Sequence, residues 1–322
     1  MSGILGLHHV TAIASDPQRN LDFYTKVLGL RRVKLTVNFD DPGTYHFYFG
    51  DDQGAPGSIM TFFPWPNGRA GRHGTGQVAV TSFAIMPGAV GFWIERFLRY
   101  GVKYEGPTRR GQGTDAEHVI AFKDPDGTML ELVGHPAAES RGAWTGAGIG
   151  KDMAIHGFHS VTLWVEQGDP TARTLVDTMG FRGTAERDST RRYVVGDGGP
   201  ARIVEVREVG GFGRGADGAG CVHHVAFAVA DDTAEMAMRE RVIAAGLRPT
   251  PQVDRNYFRS VYFREPGGVL YELATLPPGF TVDEPLDHLG ETLMLPAQYE
   301  PRRAELERVL PALEPVADSS SS

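Results

Sequence analysis

Apolar positions in this chain alternate with period two over short runs, and the runs recur. "GLHHVTAIA" (6–14), "GFHSVTLWV" (157–165) and "CVHHVAFAV" (221–229) resemble one another and read as strands. "DPDGTMLELVG" (124–134) and "EPGGVLYELAT" (265–275) form a second matched pair, a turn followed by a strand containing Glu-Leu. Segments such as "NLDFYTKVLG" and "AEMAMRERVIAAG" read as helices and stop at glycine, the residue favoured in a left-handed helix cap. The matches divide the chain into four units, from about Gly3 to Pro64, Gly76 to His135, Met153 to Val209 and Gly220 to Leu276. Each unit is expected to run β-α-β-β-β. The stretch 136–152 has neither period and is read as a linker between a first pair of units (1–135) and a second pair (153–276). In the extension 277–322, "LPPGF" breaks the pattern, "RRAELERVLPAL" suits a short helix and "DSSSS" is expected to be disordered.

Composition narrows the class. The 322 residues include 41 glycines and 21 prolines, as a turn-rich sheet protein would. A net charge of −8 argues against a nucleic-acid partner. Cys221 is the only cysteine, so no internal disulfide can form, and it is expected to be a small buried residue. No apolar run approaches the ~20 residues of a membrane span, and no basic region precedes the first apolar stretch. The expectation is a soluble cytoplasmic protein without a membrane partner; composition leaves a homo-oligomer open.

Four βαβββ units with His on a first strand and Glu on a last strand resemble the vicinal oxygen chelate superfamily, which includes glyoxalases and extradiol dioxygenases. The resemblance covers nearly the whole chain. It implies an α+β fold of four βαβββ units paired into two half-barrel domains, as in glyoxalases, bleomycin resistance proteins and dihydroxybiphenyl dioxygenases.

Position decides which of the eleven histidines could hold a metal. In a strand, residues i, i+2 and i+4 share a face. In "HHVAFAV" His224, Ala226 and Ala228 form a face small enough to line a cavity, while His223, Val225, Phe227 and Val229 form a bulky core face. His9 shares a face with Thr11 in the first unit. Glu272 stands inside an apolar strand, and an unpaired buried carboxylate costs several kcal/mol, so it calls either for a cation or for solvent. His9, His224 and Glu272 together would make a two-His, one-carboxylate set with open positions, suited to Fe(II) and oxygen chemistry, with Mn(II) as the alternative metal. Aligning Glu131 with Glu272 puts Val80 near the place of His224, and Ser160 replaces His9, so units two and three lack both histidines. If His9 and His224 share one metal, unit one must pair with unit four. Thr61 stands where a fourth, acidic ligand would belong in a glyoxalase.

Tyr262 lies across a Pro-Gly-Gly turn from Glu272, and an odd loop would set the two side by side. By the same alignment unit two has Ala121 for Tyr262 and Thr114 for Arg255, which favours this Tyr and Arg as site residues over core packing and a surface charge. His-His-Val-Thr near the N-terminus, "VNFDDPGTYHFYFGD", "TFFPWP", "HHVAFAV" and "DRNYFRSVYF" before Tyr-Glu-Leu resemble ring-cleaving dioxygenases of the hydroquinone type, similar to 2,6-dichlorohydroquinone 1,2-dioxygenase. That resemblance implies iron held by His9, His224 and Glu272, with His8, Thr11, His223, Arg255 and Tyr262 around the substrate. Strand alternation points His8 and His223 away from the ligands, so they either cap strand starts, orient a ligand from behind or touch substrate.

The implied activity is Fe(II)-dependent cleavage of a hydroquinone or catechol-like aromatic diol with both atoms of O2, with no separate organic cofactor. The alternatives are another metal-dependent member of the superfamily (a glyoxalase-like lyase, epimerase or thiol transferase) or a non-catalytic resistance protein that binds small molecules. His46 is expected in the structure or the pocket wall, His73, His118, His135, His156 and His288 at the surface, and "GRAGRHGTGQ" in a flexible loop over the cavity.

Overall fold

A computed structural model describes residues 3–111 and 116–314. Thr114 and the "DSSSS" tail lie outside the described residues. Unit one supplies β1 (Gly6–Ala14), helix α1 (Pro17–Asp22, continuing as a wider turn to Val27), β2 (Arg31–Val37), β3 (Tyr45–Gly50) and β4 (Ile59–Pro64). Unit two supplies β5 (Gln77–Ile85), α2 (Val90–Tyr100), β6 (Tyr104–Arg110), β7 (Glu117–Lys123) and β8 (Met129–Gly134). Unit three supplies β9 (Ile155–Val165), α3 (Gly168–Arg173), β10 (Arg182–Arg187), β11 (Thr190–Val194) and β12 (Ile203–Glu208). Unit four supplies β13 (Val222–Val229), α4 (Asp232–Ala244), β14 (Val253–Asp254), β15 (Arg259–Arg264) and β16 (Leu270–Thr275). Each unit is β-α-β-β-β.

Local chemistry sets the helix ends. Asp16 and Asp231 cap α1 and α4 by accepting from the backbone N–H of Arg19 and Ala234. Gly101 closes α2 at φ 68°, where a Cβ would be strained. Ala234, Met238 and Val242, spaced four residues apart, make the apolar stripe by which α4 joins the core. Arg96 of α2 donates to the carbonyls of Lys26 and Val27 and so caps the helical segment of unit one.

The strands form two curled eight-stranded sheets, each a half-barrel pair. One runs β14-β15-β16-β13-β1-β4-β3-β2 and the other β10-β11-β12-β9-β5-β8-β7-β6. Unit one therefore pairs with unit four, and unit two with unit three. The central contacts, β1 with β13 and β5 with β9, are antiparallel. Val225, Phe227 and Val229 enter the main core, while Ala226 belongs to a second cluster with Tyr48, Tyr257, Phe258 and Phe280. The bulky and small faces of β13 thus part as their side-chain sizes suggested.

Two connecting segments behave differently from the expectation. The glycine-rich stretch 68–77 does not hang free. Its Gly71, Arg72 and Thr75 amides bond the carbonyls of Ala219, Ala216 and Gly213, so the two unit-to-unit connectors clasp each other. A Cβ on Gly74 would stand 2.3 Å from the Gly213 carbonyl oxygen, so this approach needs glycine. The extension after Thr275 folds back on β2, the edge of the first sheet. Lys34 on β2 is fully buried against Asp283 (2.6 Å) and Glu284, and a short helix, α5 (Arg303–Val309), follows. Covering an edge strand removes a site of unwanted pairing. No described helix is long and apolar enough to cross a membrane. Cys221 is buried.

Candidate metal centre

Three adjacent strands, β1, β13 and β16, carry the central acid and imidazoles. His9 pairs with Ala226, and Ala226 with Glu272, so a small residue separates them in one row. His224 lies two residues before Ala226 on the same face, opposite Thr11. His9 Nε2 is 3.3 Å from His224 Nε2 and 3.2 Å from Glu272 Oε2, which is 2.8 Å from His224 Nε2. All three residues are buried. Despite these distances Glu272 Oε2 makes no hydrogen bond of acceptable geometry. Two imidazole nitrogens and an orphaned carboxylate oxygen crowded on one point fit a cation shared among them. Burial alone would raise the Glu272 pKa, but His9 and His224 hold it well below the usual carboxylate range.

His8 and His223 do not point away as strict alternation required. Leu7 pairs with Phe227 and His9 with Ala226, so His8 is skipped in the ladder; likewise His223 is skipped between the Thr11–His224 and Ala12–Val222 pairs. These two β-bulges rotate consecutive side chains to one side. His8 Nδ1 then lies 2.9 Å from His9 Nδ1, and His223 Nδ1 2.8 Å from His224 Nδ1. Burial, aided by His9, lowers the His8 pKa to about 3, and burial lowers that of His224 to about 4. Both are therefore neutral near pH 7, the state that binds metals. With a metal bound, the shared proton would sit on Nδ1 of His9 and of His224, leaving each Nε2 lone pair for the ion.

Register sets Tyr262 beside Glu272. Arg255 Nε donates to the Tyr262 hydroxyl at 3.2 Å, and its guanidinium also faces Asp40 at 3.1 Å. Burial raises the Tyr262 pKa, and the charge of Glu272 adds to this. Arg255 is not peculiar to unit four. Arg110 pairs with Glu117 just as Arg255 N bonds Phe258 O, and Arg110 donates to Glu131 at 2.6 Å. More residues separate Arg110 from Glu117 than Arg255 from Phe258, which shifts the sequence alignment and conceals this match. Ala121 does occupy the Tyr262 position, opposite Glu131.

Sequence reasoning missed two residues and one set of hydrogen bonds. Ser260 is buried and donates to Glu272 Oε1 at 2.5 Å; its place two residues before Tyr262, on the same face, was the available signal. Phe258 packs 5.0 Å from both His8 and His9, centroid to centroid. His46 is hydrogen-bonded to Tyr48 and Thr61, and Thr61 to Thr11, so Thr61 is tied into the site without being an acid. Among the other histidines, His156 is buried at 1 % exposure because β9 begins at Ile155, and both its ring nitrogens meet backbone carbonyls. His288, by contrast, is exposed.

The second sheet shows what replaces the imidazoles. Ser82 pairs with Ser160 and with Glu131, and Val80 with Thr162, so Ser160 and Val80 hold the His9 and His224 places. Arg192 bonds Glu117 at 2.6 Å and Glu205 at 2.7 Å, while Arg110 bonds Glu131. Guanidiniums neutralise the acids there. Among the described residues, His9, His224 and Glu272 form the one group of three or more potential ligands that converges.

The family model described as "Glyoxalase/Bleomycin resistance protein/Dioxygenase superfamily" matches residues 6–132. The chain is 46% identical to the Bacillus subtilis (strain 168) protein named "Putative ring-cleaving dioxygenase MhqO", over 95% of this chain and 96% of that one. It is 32% identical to a chlorohydroquinone/hydroquinone 1,2-dioxygenase of Sphingobium indicum, over 95% of each chain. A solved structure of a dioxygenase-designated protein from Bacillus subtilis superposes with a TM-score of 0.91 at 44% identity, covering 97% of this chain and 98% of that one.

Proposed function

The chain belongs to the glyoxalase/bleomycin resistance protein/dioxygenase superfamily and is an enzyme, and from that premise we propose that it is an Fe(II)-dependent dioxygenase cleaving the ring of a hydroquinone-class aromatic diol. The observation that carries this reading is the convergence of His9 Nε2, His224 Nε2 and the unpartnered Glu272 Oε2. The names of the two relatives support the ring-cleaving class, and that of the Sphingobium enzyme supports the hydroquinone. Thr61 in place of a fourth, acidic ligand weighs against glyoxalase-type chemistry.

His9, His224 and Glu272 would hold the ion from one side, with His8, His223 and Ser260 fixing their orientation from behind. When bound, Fe(II) supplies a charge that acidifies a diol hydroxyl and a centre at which diol and O2 can react together. The remaining work falls to the chain. Phe63, 4.4 Å from His46 and 6.2 Å from His223, supplies an aromatic wall for the ring. His223 is partly exposed; with Nδ1 accepting from His224, it carries its proton on Nε2 and can donate it to an oxygen of the substrate. The Tyr262 hydroxyl stays protonated and, backed by Arg255, donates to negative charge developing on a substrate oxygen.

The test is anaerobic loading with Fe(II), followed by oxygen uptake and product analysis over a panel of hydroquinones and catechols. The expected result is stoichiometric oxygen consumption with a ring-opened acid, lost in His224→Ala together with the bound iron. Loaded enzyme that leaves every diol intact refutes the reading.

A further inference from the structure

A hydrogen-bonded line leads across three strands toward the metal centre. Tyr48 is buried, and its hydroxyl meets His46 Nδ1 at 3.0 Å; among the described residues it has no other hydrogen-bond partner. A buried phenol needs an acceptor for its proton, so Nδ1 must be that acceptor. A neutral imidazole has one N–H, which then sits on Nε2. Burial, reinforced by His9 and His224, lowers the His46 pKa well below its ordinary value and so keeps the ring neutral. Nε2–H donates to Thr61 Oγ1 at 2.9 Å, which leaves the Thr61 proton for Thr11 Oγ1, also at 2.9 Å.

The line ends with an unspent donor. Thr11 is 1 % exposed, and its own hydroxyl proton finds no acceptor among the described residues. Thr11 pairs with His224 and shares a face with His9, so that proton belongs to the cup holding the three ligands. We propose that Tyr48, His46 and Thr61 form a one-directional hydrogen-bond line that turns the Thr11 hydroxyl into a fixed donor to an oxygen of the bound aromatic diol. His46 and Thr61 are then positioning residues, acting on substrate through Thr11. The proposal rests on the dioxygenase reading for its substrate.

The second sheet explains why position 61 is not an acid. The row Thr11–Thr61–Tyr48 corresponds there to Thr162–Glu205–Arg192. Thr162 donates to Glu205 at 3.3 Å, so its proton is spent on that carboxylate. A carboxylate at position 61 would draw the Thr11 proton in the same way and leave nothing to offer a substrate.

Two measurements test the line in the full chain. Nitrogen-15 NMR of the metal-free protein should show His46 with its proton on Nε2; a proton on Nδ1 reverses the direction and overturns the proposal. In the Fe(II)-loaded enzyme, Thr61→Val is expected to lower kcat 10- to 100-fold and weaken anaerobic diol binding about 10-fold, at unchanged iron content and Tm. Thr61→Ser should restore both, and Thr11→Val/Thr61→Val should be no worse than Thr11→Val alone. Multiplicative losses in the double variant, or full activity in Thr61→Val, overturn it. A wild-type enzyme inert to all diols refutes the dioxygenase reading and the role given to Thr11, whereas the tautomer result still decides the direction of the line.

Discussion

His223 and His224 are consecutive on one strand, yet their Nδ1 atoms lie 2.8 Å apart on the same side of the sheet. A bulge makes this possible, and a second bulge does the same for His8 and His9. His9 and His224 are each thereby gripped from behind by their own neighbour in sequence.

Replacing either backing histidine should weaken the metal without unfolding the protein. His223→Leu and His8→Leu each leave a ligand ring free to choose its tautomer and to turn. Metal affinity is expected to fall about 10- to 100-fold, measured by competition with a chromophoric chelator. Affinity equal to wild type in both variants would show that the paired nitrogens do not orient the ligands.

Ser260→Ala removes the donor on Glu272 Oε1. The loss of a hydrogen bond to a buried charged group should cost the metal-free protein about 1.5–3 kcal/mol in urea unfolding. The metal-loaded protein should also bind its ion less tightly, since the carboxylate is no longer held. A variant as stable as wild type would mean that the carboxylate finds another donor.

The second sheet makes the opposite prediction for the metal. Arg192→Met leaves Glu117 and Glu205 without their principal cation, inside a cup where both are nearly buried. Stability should drop by about 3–5 kcal/mol, while metal stoichiometry stays at wild type. Loss of the metal along with stability would tie the two sheets more closely than their separate residue sets suggest.

Glu235 gives the stability curve a pH-dependent component. It is buried in the first turn of α4, with Gln252 donating to it at 2.5 Å. Burial, with the charges of Asp232 and Glu272, raises its pKa from 4.5 to about 7. Between those values the folded state holds a proton that the unfolded chain releases. Stabilisation from this group is complete below about pH 4.5 and is lost as the pH rises through about 7. Glu235→Gln should therefore gain on wild type by of order 2 kcal/mol above pH 7, after allowance for residual solvation, and the gain should vanish near pH 4. Parallel Tm-versus-pH curves for the two proteins would refute this.

Much of the architecture was legible in the residues. The copies of "HHV", the paired Glu-Leu strands and the glycine stops marked out four units, because each unit must satisfy its own turns and caps locally. Period-two spacing placed His224 with Ala226, and the odd turn placed Tyr262 beside Glu272, because both follow from pleat geometry along one or two neighbouring strands. Thr61 was visible as a missing acid, but its bonds to His46 and Thr11 were not.

What the chain alone determined, then, was its repeat, its faces and the chemical identity of the residues on them. The assembled sheets decided that His8 and His223 turn toward His9 and His224, that Arg110 matches Arg255, and that the extension after Thr275 seals β2. A bulge is a mismatch between two strands, and an edge is covered by a segment hundreds of residues away in sequence. Neither is a property of any local pattern, so each exists only once distant strands have paired.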